Sequence, residues 1–202
     1  MEVNCIILAG GKSERLGRDK IVEKIGTTSL LDKVISLVKP LSGKIIIVTA
    51  NERNFSQYTG RPDITVITDI IPGQGSLGGI YTGLVTSDSF HNLVLAADMP
   101  FLNEPLLRYM MEVSDGYDFI LPRIDTLYEP LHAVYSRNCI APIETIFSQN
   151  KKVIIELFNY VKIRFVDKEE VDRFDPQHLS FFNINTLEDL ERAREIAGGS
   201  DL

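Results

Sequence analysis

The sequence predicts an α/β fold in which a mostly parallel sheet lies between two layers of helices. Short apolar runs rich in Ile and Val alternate along the chain with amphipathic segments of helical period. Such runs are typical of strands buried on both faces, and their alternation with helices indicates crossover connections between parallel strands. With 202 residues, 44% of them hydrophobic, the chain is long enough for one sizeable core, so we expect a single domain over residues 1–202.

The first two thirds of the chain contain five predicted strands and three predicted helices. The strands are residues 3–9, 44–50, 64–68, 92–97 and 117–121. The helices are residues 29–38, 77–85 and 104–113. In the C-terminal third the pattern changes, because apolar runs at 128–135, 162–167 and 179–184 surround a helical segment at 139–160. We therefore expect some antiparallel pairing there.

The final helix has the clearest boundaries in the sequence. Thr186 is suited to the N-cap, and Asp189 stands at the reciprocal position of a capping box. Two glycines follow the helix and favour its end. Its apolar stripe consists of Leu190, Ala193, Ile196 and Ala197.

Charge and composition exclude several classes of function. With 21 Lys and Arg against 28 Asp and Glu, the net charge is −7, and the chain lacks the basic excess typical of nucleic-acid-binding proteins. The first apolar run is too short for a signal peptide or a membrane span, so we expect a cytoplasmic protein. Cys5 and Cys139 lie in apolar runs and are expected to be buried thiols in a reducing compartment. The three histidines are too scattered for a zinc site.

The loop after the first predicted strand is the most informative segment. Residues 8–20 read LAGGKSERLGRDK and carry four cations within nine residues of an acidic chain. Paired glycines let backbone N–H groups approach an oxyanion closely, so the loop predicts a phosphate site; a solvated surface loop is the alternative. The earlier glycine of a Walker A motif would fall at Ile6, which excludes a P-loop NTPase.

This run resembles the signature of the molybdenum cofactor guanylyltransferase family of nucleotidyltransferases, in which Met is usual at the position of Leu16. The resemblance continues in order through Asp69 and residues 72–79, 98–101, 130–133 and 183–186. It implies a three-layer domain with a Rossmann-like sheet of the nucleotide-diphospho-sugar transferase type. It also implies that GMP is transferred from GTP to the terminal phosphate of molybdenum-bound molybdopterin, with release of pyrophosphate. Transient contact with proteins that deliver or accept the cofactor belongs to the same expectation.

The resemblance implies roles for the first loop as well. Backbone groups hold the nucleotide, and two cations bind its phosphates and stabilise the charge that develops during transfer. The backbone residues are Leu8, Ala9, Gly10 and Gly11, and the cations are Arg15 and Lys20.

Two aspartates follow predicted strands. Asp98 lies beside the expected triphosphate, and a carboxylate there suits Mg²⁺, which is usually held by one or two carboxylates and substrate phosphates. A turn-initiating aspartate before proline is the alternative. The resemblance assigns Asp69 to the base or ribose side of the nucleotide.

Two asparagines are further candidate ligand residues. Asn183 and Asn185 alternate with Ile184 along a predicted strand, so both point to one face. The resemblance places them near the metal and the pterin substrate. As an alternative, Asn185 merely precedes the cap of the final helix.

A second glycine-rich loop supports a different hypothesis. Residues 73–78 read GQGSLG and fit a dinucleotide-binding pattern, with Asp98 twenty residues further on. The loop follows the third predicted strand and not the first, which argues against an NAD(P)-dependent oxidoreductase. The resemblance instead places Gly75 and Gly78 beside the nucleotide, with Ser76 where proline is usual.

Three alternatives to guanylyl transfer stay open. A cytidylyltransferase is one, because Thr49 stands where the family's guanylyl enzymes often carry asparagine. An oxidoreductase and a non-enzymatic nucleotide sensor are the others. In the expected acceptor stretch, Glu129 occupies a position that is usually neutral or basic, and a lone His132 is more typical of a structural role.

Overall fold

The computed structural model describes residues 3–10, 23–50, 55–58 and 60–199. Its strands are β1 (Asn4–Leu8), β2 (Lys24–Ile25), β3 (Thr28–Ser29), β4 (Ile45–Thr49), β5 (Ile64–Thr68), β6 (His91–Ala96), β7 (Phe119–Ile124), β8 (Leu127–Tyr128), β9 (His132–Ser136) and β10 (Ile163–Asp167). Its α-helices are α1 (Leu30–Val38), α2 (Gly75–Thr86), α3 (Glu104–Glu112), α4 (Ile140–Ser148), α5 (Lys168–Val171) and α6 (Leu187–Gly199). Short 3₁₀ helices occupy Ser56–Tyr58, Arg137–Cys139, Ile154–Asn159 and Leu179–Phe181.

The main sheet has the strand order β10-β7-β9-β6-β1-β4-β5, and β8 pairs with β7. In the described part of the chain, β9 runs antiparallel to both of its neighbours and β8 runs antiparallel to β7, whereas the other pairs of this sheet are parallel. β2 and β3 form a separate two-stranded ribbon. The predicted mostly parallel sheet with some antiparallel pairing is confirmed.

Helices cover the sheet on both faces because successive side chains of a strand point to opposite sides. Cys5 and Ile7 of β1 belong to a hydrophobic cluster that includes residues of α1 and α3. Ile6 between them belongs to a second cluster, with residues of α2 and α4. Each central strand therefore contributes to two cores, which explains why apolar residues occupy consecutive positions along it.

A third, smaller cluster joins α6 to the β2–β3 ribbon. It contains Ile25, Leu30, Ile184, Leu190 and Ala193. The predicted capping box is present: the Thr186 Oγ1 accepts a hydrogen bond from the Asp189 N–H (3.1 Å), and the Asp189 Oδ2 accepts one from the Thr186 N–H (2.8 Å). Within the described ranges, no helix has the length and apolar composition needed to cross a membrane.

Predicted elements in the last part of the chain needed correction. Residues 179–184 are not a strand, because the Asp175 carboxylate accepts hydrogen bonds from the Leu179 N–H (3.1 Å) and the Ser180 N–H (2.7 Å) and closes a 3₁₀ turn. The segment 139–160 is not one helix, since α4 ends at Ser148 and Asn150 adopts a left-handed φ of 55°. The predicted strand 128–135 is divided into β8 and β9.

Candidate functional site

A cavity of about 800 Å³ lies at the carboxyl ends of β1, β4, β5 and β6. In a parallel sheet these ends meet at one edge, where ligands of α/β proteins bind. The sequence-predicted residues on the cavity wall are Leu8, Ala9, Gly10, Asp69, Gly75, Asp98, Asn183 and Asn185. Gly11, Arg15 and Lys20, the other predicted nucleotide ligands, lie outside the described residues.

The second glycine-rich loop forms part of this wall and starts α2. Gly73 (φ 88°) and Gly75 (φ 62°) adopt left-handed conformations that favour glycine. Further along the helix, a Cβ on Gly83 would lie 2.4 Å from Cγ2 of Ile6, so glycine allows α2 to rest close to β1. Gly73 and Gly75 therefore allow the turn beside the cavity, and Gly83 allows close packing of the helix that follows.

Asp69 follows β5 and has a fixed carboxylate. Its Oδ1 accepts hydrogen bonds from the Ile71 N–H (3.0 Å) and the Thr82 hydroxyl (2.8 Å). Gly78 is not part of the cavity wall; it packs behind Asp69, where a Cβ would lie 3.0 Å from Asp69 Oδ2. The structure thus places Gly78 against a candidate ligand residue and not against the cavity.

Asp98 follows β6 and is 8% exposed. Its backbone carbonyl accepts a hydrogen bond from the Ile184 N–H (3.1 Å), which holds residues 183–185 at the end of β6. Ile184 is fully buried, whereas Asn183 and Asn185 on either side line the cavity. The alternation expected from the sequence is present even though the segment is not a strand.

The donor set at this end of β6 suits a hard cation. Asp98, Asn183 and Asn185 offer carboxylate and amide oxygens, which are the ligand types that Mg²⁺ prefers. Among the described residues no group of three His, Cys, Asp or Glu side chains forms a metal cluster. A Mg²⁺ ion held here would therefore take further ligands from water and substrate phosphates.

Lys152 is a cavity residue that the sequence analysis missed. Among the described residues that line the cavity, Lys152 is the one that carries a positive charge. It also lines an adjoining cleft of about 330 Å³, whose apolar wall is formed by Leu77, Pro130, Val153, Ile154 and Ile155. The sequence signal was a lysine pair, Lys151 and Lys152, inside the segment 139–160 that was predicted to be helical, but nothing local shows that this pair folds next to Ser76.

Glu129 and His132 are not among the residues that line the cavity, and burial shifts the pKa of each. Burial raises the pKa of Glu129 to about 7 and lowers the pKa of His132 to about 4. The His132 ring is fully buried and lies edge-on to Phe181, with 4.9 Å between the ring centroids. These surroundings fit a structural role for His132.

Comparison with known proteins connects this geometry to a family. The model of the MobA-like NTP transferase domain matches residues 5–160. The chain belongs to the MobA-like NTP transferase family. The predicted family, fold class and nucleotidyltransferase activity are thereby confirmed, and the oxidoreductase hypothesis is not favoured.

Relatives of this MobA-like chain match it over nearly its full length. A protein of Pelotomaculum thermopropionicum named probable molybdenum cofactor guanylyltransferase is 36% identical over 200 residues, which cover 99% of this chain and 96% of the relative. The molybdenum cofactor guanylyltransferase of Desulfosudis oleivorans is 32% identical over 193 residues, covering 95% and 94%. The crystal structure of molybdopterin-guanine dinucleotide biosynthesis protein A from Archaeoglobus fulgidus has a TM-score of 0.84 and 28% identity, covering 98% and 100%.

Proposed function

We propose that this chain transfers GMP from GTP to the terminal phosphate of molybdenum-bound molybdopterin, giving the molybdopterin guanine dinucleotide cofactor and pyrophosphate. The observation that carries the proposal is the cavity at four strand ends of a MobA-like chain, where Asp69 and Asp98 share one wall with Asn183 and Asn185. Residues 1–202 act as one nucleotidyltransferase domain.

The transfer is an in-line displacement at phosphorus. An oxygen of the acceptor phosphate forms a bond to the α-phosphorus of GTP, and the bond from that phosphorus to the bridging oxygen of the β-phosphate breaks. A phosphate monoester has a second pKa near 6 and is mostly dianionic at neutral pH, so no side chain has to remove a proton. Glu129 and His132, away from the cavity wall, are accordingly not needed as bases.

The protein has to position two anions and offset their repulsion. Arg15 and Lys20 bind the triphosphate in this proposal and stabilise the charge on the departing pyrophosphate. Lys152 is assigned to the acceptor phosphate, because it lies between the nucleotide cavity and the adjoining apolar cleft. That cleft offers space for the organic part of the acceptor.

Mg²⁺ is the proposed metal cofactor. Asp98 holds it, with Asn183 and Asn185 on the same wall. When bound, it neutralises charge on phosphate oxygens. The backbone of Asp98, two positions after the end of β6, is held by the hydrogen bond from the Ile184 N–H to its carbonyl.

Guanine is the proposed base, and Asp69 is its proposed partner. Guanine presents N1–H and an exocyclic amine as donors, whereas the corresponding ring nitrogens of adenine and cytosine are acceptors. A carboxylate on the cavity wall pairs with the first arrangement and disfavours the others.

We also propose a cytoplasmic location and transient contact with proteins that deliver or accept the molybdenum cofactor. Cys5 and Cys139 are buried thiols without a disulfide, as expected in a reducing compartment. Contact with delivery proteins follows from the reaction, since the acceptor has to reach the cavity and its product has to leave.

Acceptor-dependent release of pyrophosphate tests the proposed function. We expect wild-type protein with GTP and Mg²⁺ to release pyrophosphate only when molybdenum-bound molybdopterin is added. Asp98→Asn should stop this release, whereas Glu129→Gln, the same change from carboxyl to amide at a residue that lines neither the cavity nor the adjoining cleft, should retain it. Release that does not depend on the acceptor, or equal loss in both variants, would contradict the proposal.

A further inference from the structure

We infer that Thr82 positions the Asp69 carboxylate for recognition of the GTP base and is a specificity-determining residue of the transferase. The inference rests on the proposed function. Thr82 is fully buried in α2 and is not part of the cavity wall, so it acts on the nucleotide only through Asp69.

Two faces of α2 meet different parts of the molecule. Gly79 and Gly83 pack against Leu8 and Ile6 of β1. Gly78 and Thr82 are four positions apart, so they lie on one face of the helix, and this face meets Asp69. The small residue at 78 lets the helix approach closely enough for the short Thr82 side chain to reach the carboxylate.

The direction of the hydrogen bonds at Thr82 is fixed by its neighbours. The Ile70 N–H donates to Thr82 Oγ1 (3.1 Å), which makes this oxygen an acceptor. The single hydroxyl proton of Thr82 is donated to Asp69 Oδ1 (2.8 Å). Together with the Ile71 N–H, Thr82 gives Oδ1 two protein donors.

The two oxygens of the Asp69 carboxylate therefore have different roles. Oδ1 is held by the protein. Oδ2 lies beside Gly78 and has no donor among the described residues within hydrogen-bond distance, so it is the oxygen with capacity left for a ligand on the wall that Asp69 helps to form. The terminal torsion of an aspartate is otherwise broad and easily changed. Fixing it presents a defined acceptor to the donors of guanine, so the hydroxyl of Thr82 favours GTP over nucleotides whose base has an acceptor there.

The Thr82 hydroxyl does not need Asp69 merely to make a hydrogen bond inside the protein. A threonine in a helix can donate to the carbonyl one turn earlier, as Thr86 of the same helix does to the Thr82 carbonyl (2.7 Å). Thr82 instead donates to the side chain of a cavity residue thirteen positions earlier in the chain. Thr86 is therefore a control for the residue type and the helix: it is exposed, and its hydroxyl donates only to the backbone of its own helix.

Nucleotide binding to Thr82→Val, Thr82→Ser and Thr86→Val tests the inference. The quantity measured is the ratio of the Kd values of ATP and GTP with Mg²⁺, by calorimetry. We expect Thr82→Val to reduce this ratio about tenfold through weaker GTP binding, because Asp69 loses the donor that orients its carboxylate and its charged hydrogen bond to guanine is weakened. Thr82→Ser, which keeps the hydroxyl, should stay within about twofold of wild type, and so should Thr86→Val. The KM for GTP should rise in Thr82→Val while kcat at saturating GTP changes little.

A double-mutant cycle separates positioning from general damage to the fold. In an Asp69→Ala background, Thr82→Val should change the ratio by less than about twofold, since its effect passes through Asp69. Folded Thr82→Val with a wild-type ratio, or a tenfold further loss in the Asp69→Ala background, would overturn the inference alone. Thr82→Ala supplies the same comparison if Thr82→Val does not fold. A wild-type protein without preference for GTP would instead overturn the proposed function and this inference with it.

Discussion

The two ends of the central sheet both carry clusters of polar side chains, but the clusters differ in what they contact. At the amino ends of β1 and β6, the Asn4 amide donates to Ser87 Oγ (2.9 Å) and to Asp88 (2.8 Å), and its oxygen accepts from the Lys44 N–H (3.0 Å). The Ser87 hydroxyl in turn donates to Asn92 (2.5 Å). At the carboxyl ends, Asp69, Asp98 and the two asparagines line a cavity of about 800 Å³.

This difference separates structural polar groups from functional ones. A network whose members satisfy one another stabilises the connection between strands and leaves no place for a ligand. Polar groups arranged around a cavity keep part of their hydrogen-bonding capacity for a substrate. We therefore expect substitutions at the carboxyl ends to change activity more than stability, and substitutions at the amino ends to do the reverse.

Asp98→Ala should give the largest effect. Loss of the proposed metal ligand removes neutralisation of phosphate charge, so turnover should fall by about 10³-fold or more and Mg²⁺-dependent GTP binding should weaken. The melting temperature without nucleotide should stay close to that of wild type. Steady-state kinetics and thermal unfolding of the same preparation check both parts, and normal turnover would refute the metal assignment.

Lys20→Ala should follow, with a loss of turnover on the order of 10²-fold, because a positioned cation stabilises the transition-state charge. Lys20 lies outside the described residues, so this prediction rests on the sequence of the first loop. Gly75→Val, which adds a bulky side chain to the second glycine-rich loop, is the variant to compare with it. Near-wild-type transfer by Lys20→Ala, with full loss in Gly75→Val, would move the phosphates to the second loop.

Asn4→Leu tests the amino end. It leaves buried partners of the network unsatisfied, so the free energy of unfolding should fall by about 2 to 3 kcal/mol while kcat of the folded protein is retained. Lys44→Ala is the control, because its ion pair with Asp88 is largely exposed and should contribute much less to stability than the buried Asn4 network. Chemical denaturation measures both. A loss of kcat in Asn4→Leu under conditions where it is folded would break the distinction between the two ends.

Glu129→Gln should give the smallest effect, visible in the pH dependence of stability. Burial raises the pKa of Glu129 from 4.5 to about 7, so the folded protein holds a proton that the unfolded chain releases at lower pH. The contribution of Glu129 to stability should therefore decline as pH rises from about 4.5 to about 7 and stay constant above that range. The free energy of unfolding of wild type minus that of Glu129→Gln should therefore fall steadily over this range. A difference that does not change with pH would contradict the assignment.

Much of the fold and of the cavity wall was predictable because the signals are local. Short apolar strands that alternate with helices determine a parallel sheet, and a parallel sheet determines where its strand ends meet. Ala9, Asp69 and Asp98 could therefore be placed at one edge from their position after a strand. The sequence motif of the first loop added the chemistry of the expected ligand.

The parts that were missed depend on contacts between distant residues. The turn at 179–181 is closed by the carboxylate of Asp175, so the apolar run that looked like a strand is held out of the sheet. Lys152 reaches the cavity because the chain reverses after α4 and returns to Ser76, some seventy-six positions earlier. The hydrogen bond from Thr82 to Asp69 likewise depends on the packing of α2, which a local pattern does not determine.

A competition between nucleotides tests the central claim most directly. Wild-type protein is given equal concentrations of GTP and CTP with Mg²⁺ and molybdenum-bound molybdopterin, and the two dinucleotide products are counted by mass spectrometry. A cavity that reads guanine through Asp69 predicts at least about tenfold more guanine than cytosine product, and a smaller excess in Asp69→Ala. An equal or larger yield of the cytosine dinucleotide would contradict guanylyl transfer and assign the chain to cytidylyl transfer.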